Sequence, residues 1–262
     1  MTYSAPATLD EALAARAGGA SVVAGGTDWY PALGEKPPPR RVLDLTRVAG
    51  LRGVDRTPEG WRIGAAARWS DVIEADLPPA FDGLKAAARE VGSVQIQNAG
   101  TVGGNLCNAS PAADGVPPLL TLDASVELAS PEGRRRLSLS DFILGPRRTA
   151  LRPDELMTAI LIPAEAGGAK GVFLKLGART HLVISIAMVA AAVEVDAGVV
   201  ARARVAVGSC SAVAARLPAL EAALVDRSAA AGAPAIEPAH LAPLAPIDDV
   251  RADAAYRREA AA

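Results

Sequence analysis

Residues 101–114 read TVGGNLCNASPAAD. Gly103 and Gly104 lack a Cβ, so the backbone there can take turns and close approaches that other residues cannot. Thr101, Asn105 and Ser110 place short polar side chains around the pair, and Asp114 ends the stretch with a carboxylate. A second segment repeats this grammar: Val22-Val23-Ala24-Gly25-Gly26-Thr27-Asp28-Trp29. Paired glycines allow successive backbone N–H groups to turn toward one anion, and a pyrophosphate is a natural occupant. Thr27, Thr101, Asn105 and Ser110 can hydrogen-bond phosphate or sugar oxygens. Asp28 and Asp114 are unsuited to phosphate and suit ribose or ribityl hydroxyls, which donate to a carboxylate. One such loop alone reads as a tight turn. Two of them point to a phosphorylated cofactor.

The rest of the chain sets the frame. Its 262 residues allow one large domain or two modest ones. Half the residues are hydrophobic and 21% charged, a globular composition rather than a disordered one. Aromatics make up 3%, so the core must be built from small and branched aliphatic side chains. The net charge of −2 gives no electrostatic footprint for a nucleic acid. Arg134-Arg135-Arg136 is the densest basic spot and reads as a solvated hairpin tip. Cys107 and Cys210 are too few and too far apart for an iron–sulfur cluster or structural zinc, and read as free buried thiols. No signal peptide is read at the N-terminus, and no apolar run reaches the roughly 20 residues of a membrane span. A cytoplasmic protein with no membrane span and no metal ligands of its own is expected.

Local signals predict a mixed order of elements. Thr8 and Glu11 form a capping box ahead of a helix from Leu9 to Arg16, ended by Gly18-Gly19. Short strands are predicted at Ser21–Ala24, Val42–Leu45 and Trp61–Ala65. Helices follow at Ser70–Ala75, capped by Ser70, and at Pro79–Val91. The Gly- and Asn-rich stretch from Gly100 to Asn108 reads as a loop, and Pro117–Leu122 as a buried helical turn. Ser125–Ala129 and Arg136–Leu139 flank a turn at Pro131-Glu132-Gly133, a β-hairpin. Leu156–Ile162 is a strand stopped by Pro163. Glu165–Lys170 marks a domain boundary. Beyond it, Val172–Leu176 and Arg202–Val207 read as strands, and Ile186–Val195 fits either helix or strand. Leu217–Val225 and Val250–Ala260 are helical by composition. Ala229–Pro246, rich in Pro and Ala, reads as a long surface connection. The order does not alternate as βαβα, so the predicted class is α+β.

Several chemistries are excluded by absent motifs. No G-x-G triplet, Walker A pattern or H-E-x-x-H occurs. Only two histidines, His181 and His240, are present, too few for a His-rich metal site. Gly208-Ser209-Cys210-Ser211 is not a nucleophile elbow.

Both glycine loops resemble the two signatures of the FAD-binding subunit, or domain, of the xanthine dehydrogenase and carbon monoxide dehydrogenase family. AGGTD at Ala24–Asp28 resembles the first flavin loop, and TVGGNLCNASPAAD the second. FILGPRRTALRPDELMTAILIP from Phe142, KLGARTHLVISIAMVAAAV from Lys175 and APIDDVRADAAYRREA from Ala245 are similar to the stretches that follow. The resemblance thus runs from Val22 to Ala260. It implies a fold of the vanillyl-alcohol-oxidase type, also called PCMH-type. Two subdomains, about 1–55 and 56–165, would clasp FAD, and a smaller α/β domain would occupy 166–262.

By the same resemblance, residues 22–29 and 101–105 would hold the FAD pyrophosphate. Asp114 would bind a sugar or ribityl hydroxyl, Met157 would touch the flavin, and Lys175 would reach its polar edge. A lysine there would stabilise the negative charge of reduced flavin. Where many relatives read Arg-x-x-Asp-Ile-Ala, this chain carries Ser185 in place of the acid. The implied function is the flavoprotein subunit of a molybdenum hydroxylase complex, with no catalytic acid, base or nucleophile of its own. Molybdopterin and [2Fe-2S] clusters would lie on partner subunits, and NAD or a quinone would accept the electrons. A stand-alone FAD oxidase of related fold and a flavin-free scaffold subunit are the alternatives. Poverty in His and Tyr weighs against the first, and two intact glycine loops against the second.

Overall fold

The computed structural model describes residues 1–232 and 234–262. The chain opens with β1 (Thr2–Ser4), α1 (Leu9–Ala17), β2 (Ser21–Val23), α2 (Trp29–Leu33) and β3 (Arg41–Asp44). The three strands form a small parallel sheet in the order β1-β3-β2. Thr8 and Glu11 make the predicted capping box of α1. Leu13 and Ala12 from α1 bury against Leu43, Leu45 and Val48, together with Ala66, Ala129 and Leu156 from later in the chain. That shared apolar cluster fixes the first unit on the second.

The second unit contains β4 (Val54–Thr57), β5 (Gly60–Gly64), α3 (Trp69–Glu74), α4 (Asp82–Glu90), α5 (Val94–Gln97), α6 (Val102–Asn108) and α7 (Val116–Thr121). After these come β6 (Ser125–Ser130), β7 (Gly133–Ser138), α8 (Leu139–Phe142), β8 (Ile143–Gly145), β9 (Arg148–Thr149) and β10 (Leu156–Pro163). An antiparallel sheet runs β4-β5-β10-β6-β7, and β8 pairs with β9 in a separate hairpin. Trp69, Phe81, Leu84, Leu106 and Leu119 pack with Ile63, Val126 and Ile160 into the main core. Trp61, Trp69, Phe81 and Phe142 fill the large volumes of this core, with Trp61 edge-on to Phe81 at 5.1 Å.

The last unit is a four-stranded sheet of β11 (Lys170–Leu176), β12 (Ala187–Asp196), β13 (Val199–Gly208) and β14 (Ala215–Arg216), followed by α9 (Pro218–Leu224) and α10 (Ala254–Ala261). Ile186–Val195 thus resolves as strand. One face of this sheet meets α4 and α7; Ala192 and Ala206 join the main core. The other face, with Val205, Val207 and Ala187, buries Leu220, Leu241 and Leu244. The predicted surface connection from 229 to 246 holds two short 3-10 turns, Ala229–Ala231 and Pro238–Leu241; Ala233 within it lies outside the described residues. The class is α+β, as the sequence predicts.

Three local readings change. Ser70 does not cap α3: the cap position is Arg68, whose N–H donates to the Asp71 carboxylate at 2.8 Å. Gly100–Asn108 is not a loop, because Thr101 caps it into α6, its side chain accepting from the Gly104 N–H at 3.0 Å. The Arg134–Arg136 run is not a solvated tip. It lies along β7, and Arg135 turns inward to a two-pronged pair with buried Glu155 at 2.6 and 2.8 Å.

Candidate flavin cavity

The two glycine segments meet. A Cβ placed on Gly25 would lie 2.0 Å from the Ala99 carbonyl oxygen and 2.7 Å from the Gly100 Cα. Only glycine permits that approach. A Cβ on Gly103 would strike the Ala65 carbonyl at 2.5 Å, so this glycine seats α6 on the end of β5. Gly26 has a positive φ of 72°, which turns the chain from β2 into α2.

A cavity of about 380 Å³ opens beside this contact. It is lined by every residue from Val22 to Trp29, by Thr101, Gly103, Gly104 and Asn105, and by Met157. The size is that of a small-molecule site. Helix α6 and the first loop contribute differently. The N–H groups of Val102, Gly103, Gly104 and Asn105 are already donated, to Ala67, Ala65, the Thr101 hydroxyl and the Thr101 carbonyl. The backbone N–H groups of Ala24 to Asp28 donate to no protein acceptor among the described residues. The open donors therefore come from the first loop, and α6 supplies the facing wall. Asn105 adds a buried Oδ1 without a partner among the described residues, an acceptor suited to a ligand hydroxyl or amino group.

Asp28 does not face the cavity as a free carboxylate. Arg147, in the β8–β9 turn, pairs with it at 2.5 Å and also donates to the Asn108 side chain. One guanidinium thus bridges the first loop and the end of α6. Arg147 itself holds φ at +58°, and its N–H donates to the Ala109 carbonyl at 2.9 Å.

Ser110, Asp114 and Lys175 lie outside the cavity lining. Ser110 accepts the Ala112 N–H in a local turn at 3.2 Å. Asp114 is buried and both of its oxygens are engaged, one by Lys175 Nζ at 3.0 Å, the other by the Ser185 hydroxyl at 3.0 Å. Lys175 Nζ also donates to the Glu90 carbonyl at 3.2 Å. Burial pushes the Asp114 carboxyl above its usual range, and Lys175 and Ser185 pull it back. Asp114 thus meets a protein donor on each oxygen, and Lys175 Nζ is directed at Asp114 and the Glu90 carbonyl. Their trio ties β11 to the segment before α7. Ser185 puts a donor rather than a second carboxylate beside Asp114.

Arg16, Ala66, Trp69, Val91 and Leu156, which the sequence does not mark as site residues, also line the cavity, as does Cys107. They are ordinary core or helix residues by pattern, brought to the site by packing alone. Cys210 is buried as expected, but Cys107 is exposed to the cavity. No helix among the described residues is long and apolar enough to cross a membrane.

The FAD binding domain of molybdopterin dehydrogenase matches residues 1–165 as a family, and the CO dehydrogenase flavoprotein C-terminal domain matches residues 173–262. The chain belongs to the molybdopterin dehydrogenase FAD-binding family. This family member is 36% identical over 181 residues to the nicotinate dehydrogenase FAD-subunit of Eubacterium barkeri, covering 67% of this chain and 61% of that one. It is 33% identical over 213 residues to the xanthine dehydrogenase FAD-binding subunit of Escherichia coli O157:H7, covering 79% of this chain and 73% of that one. Among solved structures, carbon monoxide dehydrogenase from Hydrogenophaga pseudoflava has a similar chain, with a TM-score of 0.87 and 28% identity. That likeness covers 100% of this family member and 93% of the other chain.

Proposed function

We propose that this chain is the flavoprotein subunit of a molybdenum hydroxylase complex, taking electrons from [2Fe-2S] clusters on a partner subunit and delivering them through FAD to NAD, a quinone or another acceptor. The observation that carries the reading is the single cavity between the two glycine segments, with open N–H donors on one side and an unpartnered Asn105 oxygen on the other. FAD, when bound, supplies electron exchange with metal clusters on one side and a two-electron acceptor on the other. The protein's part is to hold it. The N–H groups of Ala24–Asp28 bind the diphosphate, Asn105 accepts from a hydroxyl or amino group, and Trp69, Val91 and Met157 keep water from the apolar portion. None of these side chains needs to exchange a proton with substrate, in keeping with a substrate that meets the molybdenum subunit.

Absorbance of the purified full-length chain in the flavin region is the direct test. A yellow protein, or a colourless one that takes up added FAD in a one-to-one ratio, is the expected result. Failure to take up FAD would sink the proposal and leave a scaffold subunit. Turnover of small organic substrates by the chain alone would instead make it an oxidase. Native copurification should recover iron and molybdenum on other chains.

A further inference from the structure

Among the described residues only two charged side chains line the cavity, Arg16 and Asp28. Asp28 is neutralised by Arg147. Arg16, in the last turn of α1, makes no ion pair among the described residues. Its Nε donates to the Glu155 carbonyl at 3.3 Å and its Nη1 to the Ala20 carbonyl at 3.1 Å. The nearby Glu155 carboxylate is committed to Arg135 and to the Arg152 N–H. Arg16 is therefore a half-buried cation held in place by two neutral carbonyls, with Nη2 given to no protein acceptor among the described residues. A guanidinium so placed is pre-organised at little further entropic cost, and its charge has no counter-ion within the wall.

We infer that Arg16 is the counter-cation for the diphosphate of the nucleotide held in this cavity, so that the chain selects a dinucleotide by charge as well as by shape. The inference rests on the FAD reading and adds a residue outside both glycine segments. The open N–H groups of the first loop supply dipoles, and Arg16 supplies the one full positive charge on the lining. In a partly enclosed site a charge-assisted contact exceeds a neutral one.

The test uses the full-length chain stripped of flavin and titrated with FAD, ADP, adenosine and riboflavin. ADP and adenosine share the base and sugar and differ in the diphosphate. Arg16→Gln keeps donors for the two carbonyls and removes the charge. It should weaken FAD and ADP by about tenfold or more, while adenosine and riboflavin change by less than about twofold. Arg16→Lys should recover much of the loss. In the unaltered protein, ADP binding should weaken with rising salt and adenosine binding should not. If FAD binds the unaltered chain but Arg16→Gln leaves FAD and ADP affinity and their salt dependence intact, Arg16 has no such role. An equal loss for adenosine would assign it to the base instead and overturn the inference. A salt-independent ADP affinity in the unaltered chain would do the same even if the variant fails to fold. Absence of all FAD binding by the unaltered chain would instead strike the FAD reading itself.

Discussion

Asp114 and Lys175 show how a residue's chemistry is decided by what reaches it first. From sequence both are plausible flavin ligands; in the fold each is the other's partner, with 12% and 5% of their side chains exposed. Removing one partner of such a pair strands the other in a poorly solvated place, at about 3 kcal/mol or more. Lys175→Met is therefore expected to lower stability to denaturant by about that amount, and Asp114→Asn combined with it should recover most of the loss. The sign with pH follows from the carboxyl. Burial raises Asp114 above its unfolded range, and without Lys175 it rises further, so the folded state of the variant prefers the protonated form. Its deficit should shrink as the pH falls from 7 toward about 4. A Lys175→Met protein with unchanged stability, or a deficit that grows in acid, would remove the pair from this role. The glycine pair is legible in the chain itself, and the Gly25 contact admits no other residue. Arg16 could not be read that way, because nothing in LDEALAARA distinguishes an arginine that faces a cavity from one that faces water.

Element boundaries were legible where a cap or a period was local, as with Thr8 and α1. They failed where side chains competed with the backbone. The final helix begins at Ala254 rather than Val250 because three aspartates intercept the chain before it. Asp249 accepts the Arg251 N–H at 2.8 Å, Asp248 accepts the Ala254 N–H at 2.6 Å, and Asp253 caps α10 through Tyr256 at 2.7 Å. Asp249 then holds Arg257 at 2.7 Å, and Arg257 donates to the Ile186 and Ser209 carbonyls at 2.6 and 3.1 Å. Through that chain α10 is fastened to the last sheet. The Arg251 N–H and the Arg257 guanidinium hold the Asp249 carboxyl down at about 2, below its ordinary 3.8. A depressed acid contributes stability above its unfolded value and loses it as the pH drops through the folded one. Asp249→Asn should therefore cost about 1 kcal/mol near neutrality and progressively less as the pH falls toward about 2, as read by urea denaturation across that range. A constant difference at all pH values would rule out the clamp. The β7 arginines misled for a related reason: a strand's alternation is hidden when inward and outward positions carry the same residue, and only the carboxylate of Glu155 tells Arg135 apart.

At the scale of the whole molecule, the cavity is built from two units that share an apolar cluster of Leu13, Leu43, Ala66 and Leu156. A ligand gripping both sides binds the assembled form and not the unfolded chain. FAD at about a hundred times its dissociation constant should then add about 2.7 kcal/mol and raise the melting temperature, by scanning calorimetry with and without FAD. No shift at FAD concentrations expected to saturate the site would mean that the folded chain does not bind it. The α+β class was available from the irregular order of strands and helices, but the layering was not, because the partners of short Ala- and Val-rich strands are set by long-range packing rather than by local pattern. The contact at Gly25 carries one more implication. Where a backbone carbonyl and a bare α-carbon set the spacing between two walls, the gap has no intermediate widths to drift through. The smallest possible side chain at that position would wedge the walls apart in a single step, so the waist of the cleft keeps one width for as long as residue 25 is glycine.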